Sequence, residues 1–322
     1  MTERRSIKVT APARIHCGLL SVGNSLPVNF GGCGLMVDWP QTQVRLSPGH
    51  SGISCPNNLL EKVEWVRDRC LAIPELSELP VSLEVLSQPP QHSGFGSGTQ
   101  LAFAIAAGWL VLAGRENLKP EELALVLGRG MRSAIGTFGF FQGGFLVDRG
   151  ITSERPISPL ALRIDFPNWP ILVVSFPQVS GLHGVQELQA FDRIVSTTSA
   201  ERTEMEELLN QEIVPALFAK DFSKFAAAIY EFGTRSGNYY REFQRGTFHS
   251  RQVAEVAEWF RDQGVPGVVQ SSWGPTLAAF VENQSAANSI VIKLKERFGE
   301  SVEPLITAAN NCGAKFEFEE LS

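Results

Sequence analysis

The sequence predicts an α+β fold divided into two domains, and three observations carry that prediction. At 322 residues the chain exceeds the usual size of one domain, so two units, each able to bury its own core, are expected. Its first third alternates short β-like runs with Gly and Pro punctuation. Between those runs lies a stretch of helical periodicity, so strands and helices are mixed.

The β-like runs are Ile7 to Ala13, Pro27 to Trp39, Gln43 to Ser47 and Val81 to Ser87. Asn57 to Ala72 (NNLLEKVEWVRDRCLA) sets Leu60, Val63, Val66, Arg67 and Cys70 at helical spacing behind an Asn cap. A buried helix is expected from Thr99, because the apolar run Leu101 to Gly114 (LAFAIAAGWLVLAG) falls short of the ~18 to 20 residues a membrane span needs. Another helix is expected at Pro120 to Gly128, entered through Pro120 with Glu121 and Glu122 in its first turn. Arg132 to Asp148 (RSAIGTFGFFQGGFLVD) then turns through glycines into an apolar strand. The polar, Pro-containing stretch at 149–160 marks the expected boundary, giving domains 1–155 and 156–322.

In the second half, strands are expected at Leu162 to Phe166 and Ile171 to Phe176, then a turn at Gly181 to Gly184. Amphipathic helices follow at Ala200 to Ala219, Asp221 to Phe232 and Ser250 to Gln263. A strand-loop-strand at Gly267 to Val281 and a helix near Ala286 to Phe298 complete the pattern.

Composition narrows the function. With 28 basic and 34 acidic residues the net charge is −6 and no Lys/Arg-rich block occurs, which argues against a nucleic-acid partner. No apolar segment of signal-peptide type follows MTERRSIKVTAPARI, so a cytoplasmic protein with no membrane partner is expected. Five scattered cysteines without a Cys-x-x-Cys pair indicate neither a disulfide framework nor a zinc site.

The chemistry concentrates in a few loops. QHSGFGSGTQ, directly before the apolar helix, frees the backbone at Gly94, Gly96 and Gly98 and adds hydroxyls at Ser93, Ser97 and Thr99, with Gln100 next. Such a loop at a helix N-terminus suits a phosphate. The Lys of a Walker loop is missing, and the loop follows the fourth β run, so neither a P-loop NTPase nor a Rossmann site fits. A second glycine loop, QSSWGPTLAAF, offers Ser271, Ser272 and Gly274 to an anion and the Trp273 face to a ring, or is a plain tight turn.

Arg14 and His16 in PARIHCGLL alternate onto one face, as two basic groups for charge-assisted anion binding. Arg132, near Ser133, Gly136 and Thr137, forms a third anion-friendly cluster. His183 in SGLHG either enters a site from its loop or is solvated, and Asp38 and Asp148, each ending an apolar strand, either hold Mg²⁺ or cap.

PARIHCGLL, PPQHSGFGSGTQLAFAIA and QSSWGPT stand in the order and spacing of the three motifs of the GHMP kinase superfamily, which the chain resembles over nearly its whole length. FGGCGLMVD, the SGTQ ending, RSAIGTFGFFQGGFLVD, SGLHG and VQSSWGPT make it most similar to the beta-ribofuranosylaminobenzene 5'-phosphate synthases (beta-RFAP synthases) of methanopterin biosynthesis. The resemblance implies a GHMP-kinase-like fold, with an N-terminal ribosomal-protein-like α+β domain containing a left-handed crossover and a C-terminal ferredoxin-like α+β domain. It also implies a decarboxylating pentosyltransferase that condenses phosphoribosyl pyrophosphate with 4-hydroxybenzoate or 4-aminobenzoate, releasing pyrophosphate and CO₂. Mg²⁺ would arrive with the pyrophosphate, without an organic cofactor, and a homodimer would form.

On that reading Arg14, His16, Arg132 and His183 carry the catalytic roles. The two glycine loops, Thr137 and Gln142 hold substrate, and Asp38 and Asp148 are the metal candidates. The pattern departs from the synthases at Phe95, Phe140-Phe141 and Val185-Gln186, which bears on substrate choice. Two rivals share the scaffold: an ATP-dependent small-molecule kinase, disfavoured because Gly128 to Gly144 contains no carboxylate to serve as base, and a noncatalytic phosphate- or nucleotide-binding protein.

Overall fold

The computed structural model describes residues 5–115, 117–179, 193–244 and 246–320. The first part of the chain forms β1 (Arg5–Leu19), β2 (Gly32–Pro48), β3 (Gly52–Ser54), β4 (Val81–Ser87), β5 (Phe145–Asp148) and β6 (Leu160–Ile164). With them come α1 (Leu60–Leu71), α2 (Pro74–Ser77), α3 (Ser97–Leu112), α4 (Pro120–Val126) and α5 (Ile135–Gln142). The second part builds a four-stranded antiparallel sheet from β7 (Ile171–Ser175), β8 (Gly267–Gln270), β9 (Leu277–Phe280) and β10 (Glu303–Thr307), in the order β10-β7-β9-β8. The last strand, β11 (Lys315–Glu320), returns to pair antiparallel with β1.

In the large sheet β1 and β2 pair antiparallel along most of their length. β4 and then β3 extend the sheet beside one end of β2, and β5 and β6 beside the other. The two β runs expected at 27–39 and 43–47 thus merge into β2. The chain stays in the first sheet until Ile164, beyond the expected boundary at 155/156, and β11 brings it back. β10, β11 and the helix α5 were not anticipated from the sequence.

Apolar periodicity places three larger cores and, among the described residues, a smaller one around Trp273 and Tyr240. On one face of the large sheet Ile7, Val9, Val44 and Leu46 pack against Phe103 of α3 and Phe140 of α5. On the other, Ile15, Leu35 and Phe145 meet Phe225, Ile229 and Phe232 of the helix Phe222–Asn238, which also covers Ile171, Val173 and Phe280 of the small sheet. The alternate residues of β7, Leu172 and Val174, face Val256, Phe260 and Leu294 of the helices Arg251–Asp262 and Gln284–Phe298, as period-2 side-chain alternation requires. Helix Phe222–Asn238 is therefore a layer shared by the two sheets. Asp221, Ser250 and Asn283 cap these three helices by accepting a first-turn N–H.

One irregularity positions the site. A register shift between Pro12 and Ala13 exchanges the faces of β1. Ile7, Val9 and Ala11 lie in the helix-covered core, whereas Ala13, Ile15 and Cys17 lie in the middle one. A bulge of this kind re-aims the side chains that follow it, and Arg14 and His16 thereby turn to the side where the glycine loop enters α3.

Among the described residues no helix is long and apolar enough to cross a membrane.

Candidate active site

The glycine loop folds as its composition requires. Gly94 and Gly96 sit at φ +100 and +66, a left-handed region that side chains avoid, and Gly96 is the N-cap of α3. The first-turn N–H groups of this helix, around Ser97 and Gly98, have no partner within the helix and carry the positive end of its dipole. Twelve of the sixteen residues of α3 are buried, so the N-terminus is held on a rigid element.

The second glycine loop, between β8 and β9, locks onto the first. Ser271 Oγ donates to Gly94 O at 2.6 Å and accepts from His16 N at 3.0 Å. A Cβ added at Gly274 would stand 2.3 Å from Gly94 N, and one at Gly94 2.5 Å from Ser271 O, so the two backbones touch. Arg14 bridges them: its N–H donates to Phe95 O at 2.9 Å, its Nη1 to Ser272 Oγ at 2.8 Å, and its side chain lies against Gly96. Trp273 closes one wall, its ring centroid 4.3 Å from that of Tyr240.

The cleft formed here measures about 760 Å³ and is lined by Arg14, Lys62, Arg129 and Arg132, together with His16 and His92, and by no Asp or Glu among the described residues. In a chain of net charge −6 that concentration of cations selects anions. Lys62 of α1 leans over the start of α3, with Nζ 2.1 Å from where a Cβ of Gly98 would be. Burial, with the Arg129 charge second, pulls its ammonium from 10.5 to about 8. Arg129 stands between Gly128 and Gly130, both at positive φ, and its guanidinium lies 5.4 Å from the Trp65 ring centroid.

His16 does not act as a second cation. Burial, and then the Arg14 charge, hold its imidazole well below 6.5, so it is neutral at physiological pH. Its Nε2 lies 3.0 Å from Ser133 Oγ, and that hydroxyl donates to Asp148 Oδ2 at 2.9 Å. Ala134 N donates to the same carboxylate oxygen at 2.6 Å. Burial raises the Asp148 carboxyl from 3.8 to about 6 against these hydrogen bonds, which lower it.

Of the residues expected in the site, Arg14, His16, Gly94, Gly96, Ser97, Gly98, Thr99, Arg132, Ser272, Trp273 and Gly274 line this cleft. Others do not, for definable reasons. Ser93 Oγ donates to Pro90 O, Ser271 is buried as the clasp between loops, and the buried Gln100 donates from Nε2 to Gly136 O, tying α3 to α5. Thr137 is buried inside α5, and Gln142, at the far end of that helix, offers its carbonyl to Arg163. His183 lies outside the described residues.

The two metal candidates lie apart from the cleft. Asp148 is fully buried against Ser133 and Ala134, while Asp38 accepts from Asn310 at 2.9 Å; neither lines the cleft. No group of three or more His, Cys, Asp or Glu suited to a metal occurs among the described residues.

Lys62 and Arg129 escaped the sequence reading. A lysine on an amphipathic helix is usually a solvated charge, so Lys62 carried no signal. Arg129 did carry one, since a cation framed by two glycines in GRGMR is a side chain delivered by a special turn.

A two-domain α+β scaffold with an anion cleft where two glycine loops meet resembles that of the GHMP kinases. Residues 213–300 match the family described as GHMP kinases C terminal. The mevalonate diphosphate decarboxylase of Enterococcus faecalis shares the fold at a TM-score of 0.66 and 17% identity, over 98% of this chain and 99% of that one. The chain is similar to the beta-ribofuranosylphenol 5'-phosphate synthase of Archaeoglobus fulgidus, at 27% identity over 97% of this chain and 99% of that protein. It is 29% identical to the synthase of the same name from Methanocaldococcus jannaschii, over 95% and 99%. The expected fold, the likeness to these synthases and the expectation of an enzyme are borne out.

Proposed function

We propose that the protein joins the ribose of phosphoribosyl pyrophosphate to a 4-substituted benzoate, with loss of pyrophosphate and CO₂, as the first step of methanopterin biosynthesis. The observation that carries this reading is the cleft itself: four cationic side chains and a helix N-terminus, with no carboxylate among the described lining residues. The whole-chain likeness to synthases named for a ribofuranosylphenol 5'-phosphate supports the chemistry and favours 4-hydroxybenzoate over 4-aminobenzoate as the acceptor.

Departure of pyrophosphate leaves oxocarbenium character at the sugar C1, so fixed donors are needed on the leaving group. The amides at Ser97 and Gly98, the Ser97 and Thr99 hydroxyls and Lys62 surround one anion position, and Arg132 and Arg129 serve the second phosphate. Mg²⁺ enters with the pyrophosphate, not on a carboxylate set of the protein. The Trp273 face holds the benzoate ring with its carboxyl-bearing carbon toward C1, which supplies the proximity that a two-substrate reaction requires. Loss of CO₂ restores aromaticity.

The test is release of labelled CO₂ from carboxyl-labelled 4-hydroxybenzoate and 4-aminobenzoate with phosphoribosyl pyrophosphate and Mg²⁺, with ATP and the same acceptors in parallel. Release that depends on phosphoribosyl pyrophosphate supports the synthase and identifies its acceptor. ATP turnover without release returns the protein to the kinases of its fold.

A further inference from the structure

We propose that His16, fixed as its Nε2–H tautomer by Ser133 and the buried Asp148, presents Nδ1 to the cleft as the acceptor of the phenolic hydrogen of the aromatic substrate. The inference rests on the reaction proposed above and assigns to its hydroxybenzoate a group that the anion-binding residues do not supply.

The tautomer follows from counting hydrogens. Ser133 has one hydroxyl hydrogen and two acceptor positions. The hydrogen goes to Asp148 Oδ2 at 2.9 Å, since a carboxylate only accepts, and the Ile135 N–H approaches the same hydroxyl oxygen at 3.4 Å. His16 Nε2, 3.0 Å from that oxygen, is left to donate. A neutral imidazole that donates from Nε2 has a bare lone pair on Nδ1. No hydrogen bond among the described residues engages Nδ1, although His16 itself is only 5% exposed and lines the cleft. The charged groups around the ring are Arg14, two residues back on β1, Asp148 beyond Ser133, and Arg132 beside Ser133. Arg14 and burial together keep the ring uncharged, so it accepts where an imidazolium would donate.

A weak base suffices for the step. As the para carbon bonds to the sugar C1, the C1–oxygen bond to pyrophosphate breaks and the electron pair leaves with it. The phenolic oxygen feeds electrons into the ring, its hydrogen becomes strongly acidic, and Nδ1 takes the proton. When the carboxyl–ring bond breaks, its electron pair returns to the ring, CO₂ departs, and the phenolate oxygen recovers the proton from Nδ1. Proton and charge balance within the site, and Ser133 and Asp148 act as positioning residues.

The test compares two acceptors with wild type, His16→Gln and Ser133→Ala: 4-hydroxybenzoate, and its 3,5-difluoro analogue, whose phenol is largely ionised near neutral pH. General-base assistance is worth roughly 10²-fold or more, so His16→Gln should lower kcat about 100-fold with 4-hydroxybenzoate and less than about tenfold with the analogue. Ser133→Ala should show the same imbalance at smaller amplitude, with KM for phosphoribosyl pyrophosphate unchanged. ¹⁵N NMR of the wild-type imidazole, without substrate, should show the Nε2–H form. An Nδ1–H tautomer, or equal losses with both acceptors in an active enzyme, overturns the role of His16 alone. Wild-type silence with every acceptor overturns the reaction as well, and this role with it.

Discussion

Gly94–Thr99 and Gln270–Thr276 are alike in composition and differ in what their polar groups face. The first caps a sixteen-residue helix, and its amides and hydroxyls open onto the cleft. The second joins two four-residue strands, and its Ser271 hydroxyl is used within the protein, on Gly94 O and His16 N. One loop faces the cleft while the other holds it in place, and glycine serves conformation at Gly94 and Gly96 but close approach at Gly274. A Gly-rich sequence alone does not separate these two uses.

The sharpest way to break the comparison is Gly274→Ala. A Cβ there meets Gly94 N at 2.3 Å and Ser93 C and O at 2.4 Å, all backbone atoms, so roughly 3 kcal/mol of stability should be lost, as in severe overpacking, measured by urea denaturation. An unchanged midpoint would mean that the loops are not in contact. Arg132→Ala, by contrast, should leave the midpoint alone and cut kcat/KM for phosphoribosyl pyrophosphate tenfold or more, about 1.5 to 3 kcal/mol for a charge-assisted contact; unaltered kinetics would remove Arg132 from the site.

A smaller effect separates the two sets of hydroxyls. Ser271→Ala should cost about 1 to 2 kcal/mol of stability by leaving the buried His16 N–H unpaired, whereas Ser97→Ala with Thr99→Ala should lower turnover at nearly constant melting temperature. The reverse pattern would exchange the roles of the loops. A further change concerns pH. Lys62 has a folded pKa of about 8, below its ordinary 10.5, so the unfolded chain binds the extra proton between those values and stability should rise with pH across that window. Affinity for phosphoribosyl pyrophosphate should fall in the same window as the ammonium is lost. Lys62→Met should flatten both trends, checked by denaturation and by titration calorimetry.

The parts legible in the sequence were those with local signals: β4, α3 and both glycine loops; the Asn cap expected at Asn57 does not form, since neither the short turn Asn57–Leu59 nor α1 has a side-chain cap. α5 was hidden because Gly136 and Gly139 read as turns. They are instead packing positions, where a Cβ at Gly139 would lie 2.3 Å from Met36 Sδ. β10 and β11 were hidden because they are edge strands, β11 with charged alternate residues, and their partners β7 and β1 lie far off in sequence. The candidate site shows the same division. Arg14 and the loops carried motifs, while the neutrality of His16 and the approach of Lys62 depend on burial and on the β1 bulge, which only tertiary packing reveals.

The pairing of β1 with β11 also sets a schedule for biosynthesis. Arg5 stands opposite Glu320 and Thr10 opposite Lys315 in the antiparallel register, so one side of the large sheet lacks its neighbour until residues 315–320 have been made. At roughly 5 to 20 residues per second, β1 waits on the order of 15 to 60 s with an open edge. During that interval the nascent protein, with both glycine loops already synthesised, exposes a strand that a chaperone or another chain can occupy.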